Sequence, residues 1–512
     1  MIITFNLLCV KFSSPPVRIS LIFCLLLSFH SSAQLRLAKI FSDNMMLQRD
    51  EPIHIWGKGL PKSEVRVTLA KETISVLVAD DSTWIGVLNS HEATSEPQII
   101  TIISANEKVL LDNILIGDVW LCMGQSNMEW PMRAEKYYHE DALKSDQPML
   151  RFYNPDYAGK GIYGKSFPDS ILRRLTADDF YMGEWAVCDS VSMPGMSAVA
   201  YHFGKRIVNE VGVPVGLMNL AIGGAPIETF ISREVMGSDS VFSAKVEGSW
   251  LKNKELPLWG QKRGMQNVGG VSLHQDDLGP NHAYKPGFAF ESGIETMLPF
   301  RIKGIIWYQG ESNAQEMVRV EEYARLMELM VEDYRSRWRM NLPFYFVQLS
   351  SIDTLQYNGR LWPNFRDVQR IALGRIENSG MAVTSDIGAA NDVHPTNKRD
   401  VGERLALWAL NKTYKKKITC SGPLPLKATY NNGKVVVTFR YAKGLRTSDG
   451  KDISGFSVDG KREIMVMRRR RKIVIPVKKK PSHIYYGWKP FTTANLVNKE
   501  LLPASTFRIA VQ

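Results

Sequence analysis

At 512 residues, with 44% hydrophobic and 23% charged side chains, the chain has the composition of an ordinary globular protein of several domains, and core size does not limit its stability. Its net charge of +12 would suit a nucleic-acid binder, but the excess sits in short runs (415–417, 468–472 and 478–480) between apolar strands, with no aromatic–basic RNA motif nearby. Solubility, or attraction to anionic glycans and cell surfaces, is the expected use of that charge.

The first 33 residues predict a secretory signal peptide. Lys11 and Arg18 precede a short apolar core at 21–27, and Ser31, Ser32 and Ala33 supply the small residues of a cleavage site. The core is too short for a comfortable span, so the mature chain is expected to be secreted or periplasmic, with no membrane span. Cys9 and Cys24 leave with this segment. Cys122, Cys188 and Cys420 remain, an odd set without metal-ligand spacing, and indicate neither a disulfide framework nor a zinc site.

Residues 34–113 predict a small β-sandwich-like domain, with short apolar strands near 53–56, 65–69 and 99–103 punctuated by Gly57, Gly59, Pro61 and Asp80-Asp81. From 114 to 412 the pattern changes to strand then helix. Strands are expected at 119–123, 215–221, 304–308, 344–349 and 381–384, and helices at 197–211, 320–338, 365–375 and 398–410. That alternation predicts an α/β domain, a parallel sheet with helices on both faces, and its site lies beyond the carboxyl ends of the strands. The irregular section 233–290 is read as loops with one short helix around 240–252. Residues 413–512 return to β alternation and form a second sandwich-like flank.

Four stretches end apolar runs or follow them closely: Gly124-Gln125-Ser126-Asn127-Met128, Gly223-Gly224-Ala225-Pro226, Gln309-Gly310-Glu311-Ser312-Asn313, and Asn391-Asp392-Val393-His394-Pro395. On one sheet edge they would supply a hydroxyl, glycine amides, side-chain amides and an imidazole. Ser126 is the candidate nucleophile, since an exposed serine at a strand end needs only a base to activate it. His394 is the candidate base, singled out from nine histidines by its carboxylate neighbour and its position after a strand. His202 and His54 are better explained by packing. Asp392 is the first choice to orient His394 and Asp386 the spare; a Ser–His dyad with a backbone carbonyl is the third option.

The blocks from Gly117 to Glu129, Trp307 to Ala314 and Asp392 to Pro395 resemble the signature blocks of the sialate O-acetylesterase family, a carbohydrate-esterase branch of the SGNH hydrolases. The resemblance implies an SGNH-type fold with β flanks and an O-acetylated sugar as substrate, sialic acid foremost and acetylated xylan next; with no phosphate-cradling glycine loop and no dense metal-ligand cluster, no cofactor and no metal are expected. Ester hydrolysis also needs an oxyanion hole, expected from the amides of Ser126 and Gly223 or Gly224 plus a side-chain amide. The superfamily's usual asparagine two residues after glycine is Ser312 here, so Gln309 is the preferred side-chain donor and Asn313 the next. Gln125, Trp130, Arg133, Tyr308 and Glu311 are expected near the substrate. Trp130 and Tyr308 would stack on sugar faces, Arg133 would meet a carboxylate, and Glu311 would chiefly brace the loops. Ser312 is the rival nucleophile, but no glycine follows it two residues on. A non-catalytic carbohydrate-binding protein is the alternative of another class, and intact Ser126 and His394 argue against it.

Overall fold

The chargeless run from Val119 to Met123 becomes the end of one long strand, β1 (Glu107–Gly124), buried throughout its second half. The structure is a computed structural model that describes residues 35–105 and 107–512, so the signal-peptide expectation lies outside the described residues. After β1 come β2 (Gln147–Tyr153), β3 (Trp185–Cys188), β4 (Val215–Asn219), β5 (Gly304–Tyr308), β6 (Phe344–Gln348) and β7 (Ser379–Val383). They form one sheet in the order β3-β2-β4-β1-β5-β6-β7. Every pairing in it is parallel except that of β3 with β2. Strands buried on both sides need no alternation of polar residues, and β4, β5 and β6 carry none.

Register shows that both faces are covered. Trp120 of β1 packs edge-on to Phe203 of the helix Ala198–Val211. Met123 lies three residues on and so faces the other way, and it is in register with Trp307 of β5. Trp307 in turn donates to the Tyr323 hydroxyl (3.2 Å) of the helix Met317–Trp338. The helix Ala198–Val211 starts where Ser197 accepts the Ala200 amide and stops at left-handed Gly212. The helix Trp362–Arg375 begins three residues before the expected start because Pro363 is tolerated in a first turn. The closing helix Arg399–Lys412 is fixed to the sheet by Trp408, whose indole donates to Met381 O (2.9 Å).

Between 233 and 290 the expected helix around 240–252 is a single 3-10 turn, Ser243–Val246. The longer helix there is Leu258–Val268, which the sequence reading missed. Gly260 and Gly264 remove apolar side chains from its buried face and so erase its periodicity, while Gly264 lets the Trp250 ring close in, to 2.0 Å from where a Cβ would stand. The boundary at 113/114 also needs correction. It falls inside β1, whose first half pairs with Thr94–Ser104 of the N-terminal strands while its second half forms the parallel sheet. An 18-residue strand shared between two regions leaves no linker for composition to reveal. At the other end, Leu424–Asn431, Lys434–Arg440, Lys472–Pro476 and Met467–Arg469 form an antiparallel sheet. That region is tied to the α/β domain by Arg366, fully buried, which donates to the carbonyls of Gly487, Lys489 and Pro490.

Candidate active site

β1, β4, β5 and β7 all deliver their following loops to the carboxyl edge of the sheet. β1 ends at Gly124, which lies beside Tyr308 at the end of β5. Its φ of +135° and the 2.1 Å that would separate a Cβ from Tyr308 O allow only glycine there. Gln125 is extended, and its carbonyl accepts the amides of Met128 (2.8 Å) and Glu129 (3.0 Å), so Ser126 opens the short helix Ser126–Glu129. As the first residue of a helix, Ser126 has no intrahelical acceptor for its N–H.

The Ser126 hydroxyl lies 2.8 Å from His394 Nε2. With Nε2 unprotonated, the hydroxyl donates to it, the arrangement a general base requires. His394 is held from two sides. Asp392 accepts its backbone N–H at 2.8 Å, and Trp130 stacks on the imidazole at 5.2 Å between centroids, 22° from parallel. Asp392 Oδ1 is 3.8 Å from Nδ1, too long for a hydrogen bond, so this carboxylate shapes the loop and acts on the ring through its charge. Asp386 is paired with Arg404 (2.6 and 2.7 Å) and is not available to the imidazole. Burial and the nearby Lys398 ammonium pull the His394 pKa below its usual value, against the raising effect of Asp392.

Beneath the pair lies a polar network of which sequence reading assigned only Glu311, as a brace between loops. Asn127 donates to Glu311 and to Val393 O (2.9 Å) and accepts from Lys398. It thus joins the nucleophile's helix, the β5 loop and the histidine loop. Its place beside Ser126 in a quoted block was the available signal. Lys398 is fully buried and its pKa is pushed down to about 7 by desolvation, with Glu311 working the other way. Its ammonium stands 5.5 Å from the Trp130 ring and 5.6 Å from that of Tyr308. Burial raises the Glu311 carboxyl, whose Oε2 has no partner among the described residues.

Several expected roles need correction. Gln309 is fully buried, and its amide already donates to Ala225 O (3.1 Å) and Asn313 Oδ1 (2.8 Å). Asn313 is likewise buried, donating to Glu228 (3.0 Å) and accepting the Ile227 amide (3.1 Å). Neither side chain is free to meet an oxyanion; both lock the β4 and β5 loops together. Gln125 braces rather than contacts substrate, accepting the amides of Ser312 (3.2 Å) and Gly310 (3.4 Å). Tyr308 is fully buried, and Arg133 is exposed beside Gly195. Ser312, the rival nucleophile, gives its hydroxyl to Gly224 O at 2.8 Å.

Of the glycine pair, Gly223 donates its amide to the Tyr157 hydroxyl (3.1 Å), while Gly224 adopts φ +74°. Both follow Ile222, whose amide is bonded to Gly124 O (3.0 Å), so the pair begins beside the nucleophile's own turn. Glu129 faces it, with Oε2 2.9 Å from where a Gly223 Cβ would stand, and Lys160 matches its charge at 3.3 Å. Among the described residues one cluster, Glu135, Asp141 and His202, has metal-ligand geometry. Lys205 (2.7 Å) and Arg399 (2.9 Å) already occupy Asp141, and His202 is buried with its pKa pushed down to about 3 by desolvation. A cavity of about 780 Å³, lined in part by Lys39, Trp56, Trp84 and Met297, contains neither Ser126 nor His394 in its wall.

Residues 268–411 match the family model described as carbohydrate esterase, sialic acid-specific acetylesterase. The matched span includes Glu311 and His394 but not Ser126. The chain is 28% identical over 445 residues to the human (Homo sapiens) sialate O-acetylesterase, covering 80% of this chain and 77% of that one. It is 26% identical over 449 residues to the mouse (Mus musculus) sialate O-acetylesterase, covering 80% of each. Among solved structures, a carbohydrate acetylesterase from Xanthomonas citri superposes with a TM-score of 0.75 at 26% identity, over 92% of this chain and 99% of that one.

Proposed function

We infer that this chain is a carboxylic ester hydrolase of the sialate O-acetylesterase family and removes O-acetyl groups from sugars through Ser126 and His394. The observation that carries the catalytic assignment is the 2.8 Å contact between the serine hydroxyl and imidazole Nε2. In the first half-reaction His394 takes the hydroxyl proton as Oγ attacks the acetyl carbonyl. The tetrahedral oxyanion collapses, the sugar oxygen leaves with the proton returned by His394, and an acetyl-Ser126 ester remains. In the second, water gives its proton to His394 and attacks that ester, releasing acetate and restoring the hydroxyl.

The oxyanion would be held by the Ser126 N–H and by that of Gly224, where no Cβ keeps a carbonyl away; the Gly223 N–H is already given to the Tyr157 hydroxyl. Asp392 supplies charge and loop geometry in this scheme. We read the sheet as an SGNH-hydrolase type with sandwich-like β flanks, supported by the nucleophile at the end of β1 and the base in the loop beyond β7. The N-terminal apolar run supports a secreted or periplasmic location, and among the described residues no helix is long and apolar enough to cross a membrane. O-acetylated sialic acid is the proposed substrate, in keeping with the names of the matched family and relatives. Acetate release from O-acetyl sialic acid and from acetylated xylo-oligosaccharides, compared by kcat/KM, tests that choice. A higher value for the xylo-oligosaccharide would overturn it.

A further inference from the structure

Residues 413–512 carry 22 of the 64 Lys and Arg but only 5 of the 52 Asp and Glu, so their excess outweighs the whole chain's +12. Of the three basic runs, 415–417 has a counter-charge, since Lys416 meets the Glu210 carboxylate at 3.2 Å. The runs 468–472 and 478–480 lie at the two ends of one strand, Lys472–Pro476, and no carboxylate of the described residues pairs with them. The strands of that antiparallel sheet, Leu424–Asn431, Lys434–Arg440, Lys472–Pro476 and Met467–Arg469, contain no Asp or Glu at all.

One face of the sheet packs inward through Ala428, Val435, Val437, Ile473 and Ile475. On the other, register sets Lys427 opposite Thr438, Thr438 opposite Lys472, and Lys472 opposite Arg469, one row across all four strands. Strands lie about 4.8 Å apart, so this row is about 14 Å long. Its three cations are exposed. The next row, Thr429, Val436, Val474 and Met467, is uncharged, and Met467 is 41% exposed. Like charges directly opposite in a sheet destabilise it, and solubility alone is served by mixed signs. Such a face suits a counter-charge supplied from outside. It turns no aromatic ring outward on which a sugar or a base would stack. It does set cations beside apolar side chains, as anionic headgroups over hydrocarbon require.

We propose that this face of the C-terminal sheet docks the protein on an anionic phospholipid bilayer, with Lys427, Lys472 and Arg469 against headgroup phosphates and Met467 entering the interface. The attachment is peripheral. None of these residues belongs to the proposed esterase site, so docking and the turnover of a soluble ester are separable.

The test sediments the full chain with vesicles of phosphatidylcholine, alone or mixed with phosphatidylglycerol, and follows acetate release from a soluble O-acetylated sugar in parallel. The wild-type protein should partition onto the anionic vesicles about tenfold or more above the neutral ones. Salt at about 1 M, which shortens the screening length to about 3 Å, should weaken that binding. The triple variant Lys427→Ser/Arg469→Ser/Lys472→Ser should lose about a hundredfold in partition at unchanged kcat/KM. Met467→Ser should also bind the anionic vesicles less, a loss that docking on a soluble polyanion does not predict. Equal partition onto both kinds of vesicle, partition onto neither, or unaltered partition in the triple variant would overturn the proposal. Retention on heparin with unaltered vesicle binding in Met467→Ser would replace the bilayer by a soluble polyanion. The comparison of vesicles needs no variant, so a poorly folding triple variant does not spare the proposal.

Discussion

His394 works as a base only while its ring is neutral, and its surroundings favour that state. Desolvation and Lys398 lower its pKa, so the acid limb of kcat/KM should fall below the value of about 6.5 for a free histidine. Lys398→Met removes the nearby positive charge and should move that limb upward; a limb that stays put or drops would contradict the assignment. Asp392 acts differently. Because its carboxylate is 3.8 Å from Nδ1 but bonded to the backbone N–H, Asp392→Asn keeps the loop contact and loses the charge. Its kcat/KM should decline by less than about a hundredfold, well short of the roughly 10⁴-fold loss when a directly bonded triad carboxylate is replaced. Steady-state kinetics across pH measures both. At this scale Ser126 and His394 were singled out because four polar blocks recur at strand ends, and the fold brings these two side chains to 2.8 Å. Gln309 and Asn313 misled because an amide that donates to an oxyanion and one that laces two loops look alike in sequence. Only the acceptors at Ala225, Asn313 and Glu228 separate the two roles.

Among the elements, five of the six parallel strands and the helix Ala198–Val211 were legible because apolar runs and a Ser–Gly pair of caps are local signals; β2, where Pro148 and Arg151 interrupt the apolar run, was not. The helix Leu258–Val268 was not, since its buried face is built from Gly260, Gly264 and Asn267, whose fit depends on Trp250 and on loops distant in sequence. The turn after β1 gives the sharpest test of local geometry. Gly124→Ala would combine a positive φ with a backbone collision at Tyr308 O, and should destabilise the fold by more than about 1 kcal/mol. A thermal melt with an unshifted midpoint would mean that the Gly124 turn is not as described.

At the scale of the whole molecule, the shared β1 strand and the Arg366 guanidinium make the three regions mechanically continuous, which composition could not disclose. Arg366 is buried without a carboxylate partner among the described residues, and its pKa is pushed down to about 9 by desolvation; it donates to three carbonyls of the C-terminal region. Arg366→Met should leave Lys489 O without its donor and weaken the hold on Gly487 O and Pro490 O, which keep Thr506 and Ile352 as donors, and so lower the melting temperature and expose the C-terminal region to limited proteolysis. Unaltered proteolysis would mean that other contacts hold that region. The same continuity brings together a hydroxyl and an imidazole 268 residues apart in sequence, and the account depends on that meeting. The most direct measurement is a rapid quench of the enzyme with an O-acetylated sugar, followed by peptide mapping of the transferred acetyl group. The acetyl should be found on Ser126, and on no residue in Ser126→Ala; acetyl on another side chain, or undiminished turnover in Ser126→Ala, would contradict the account.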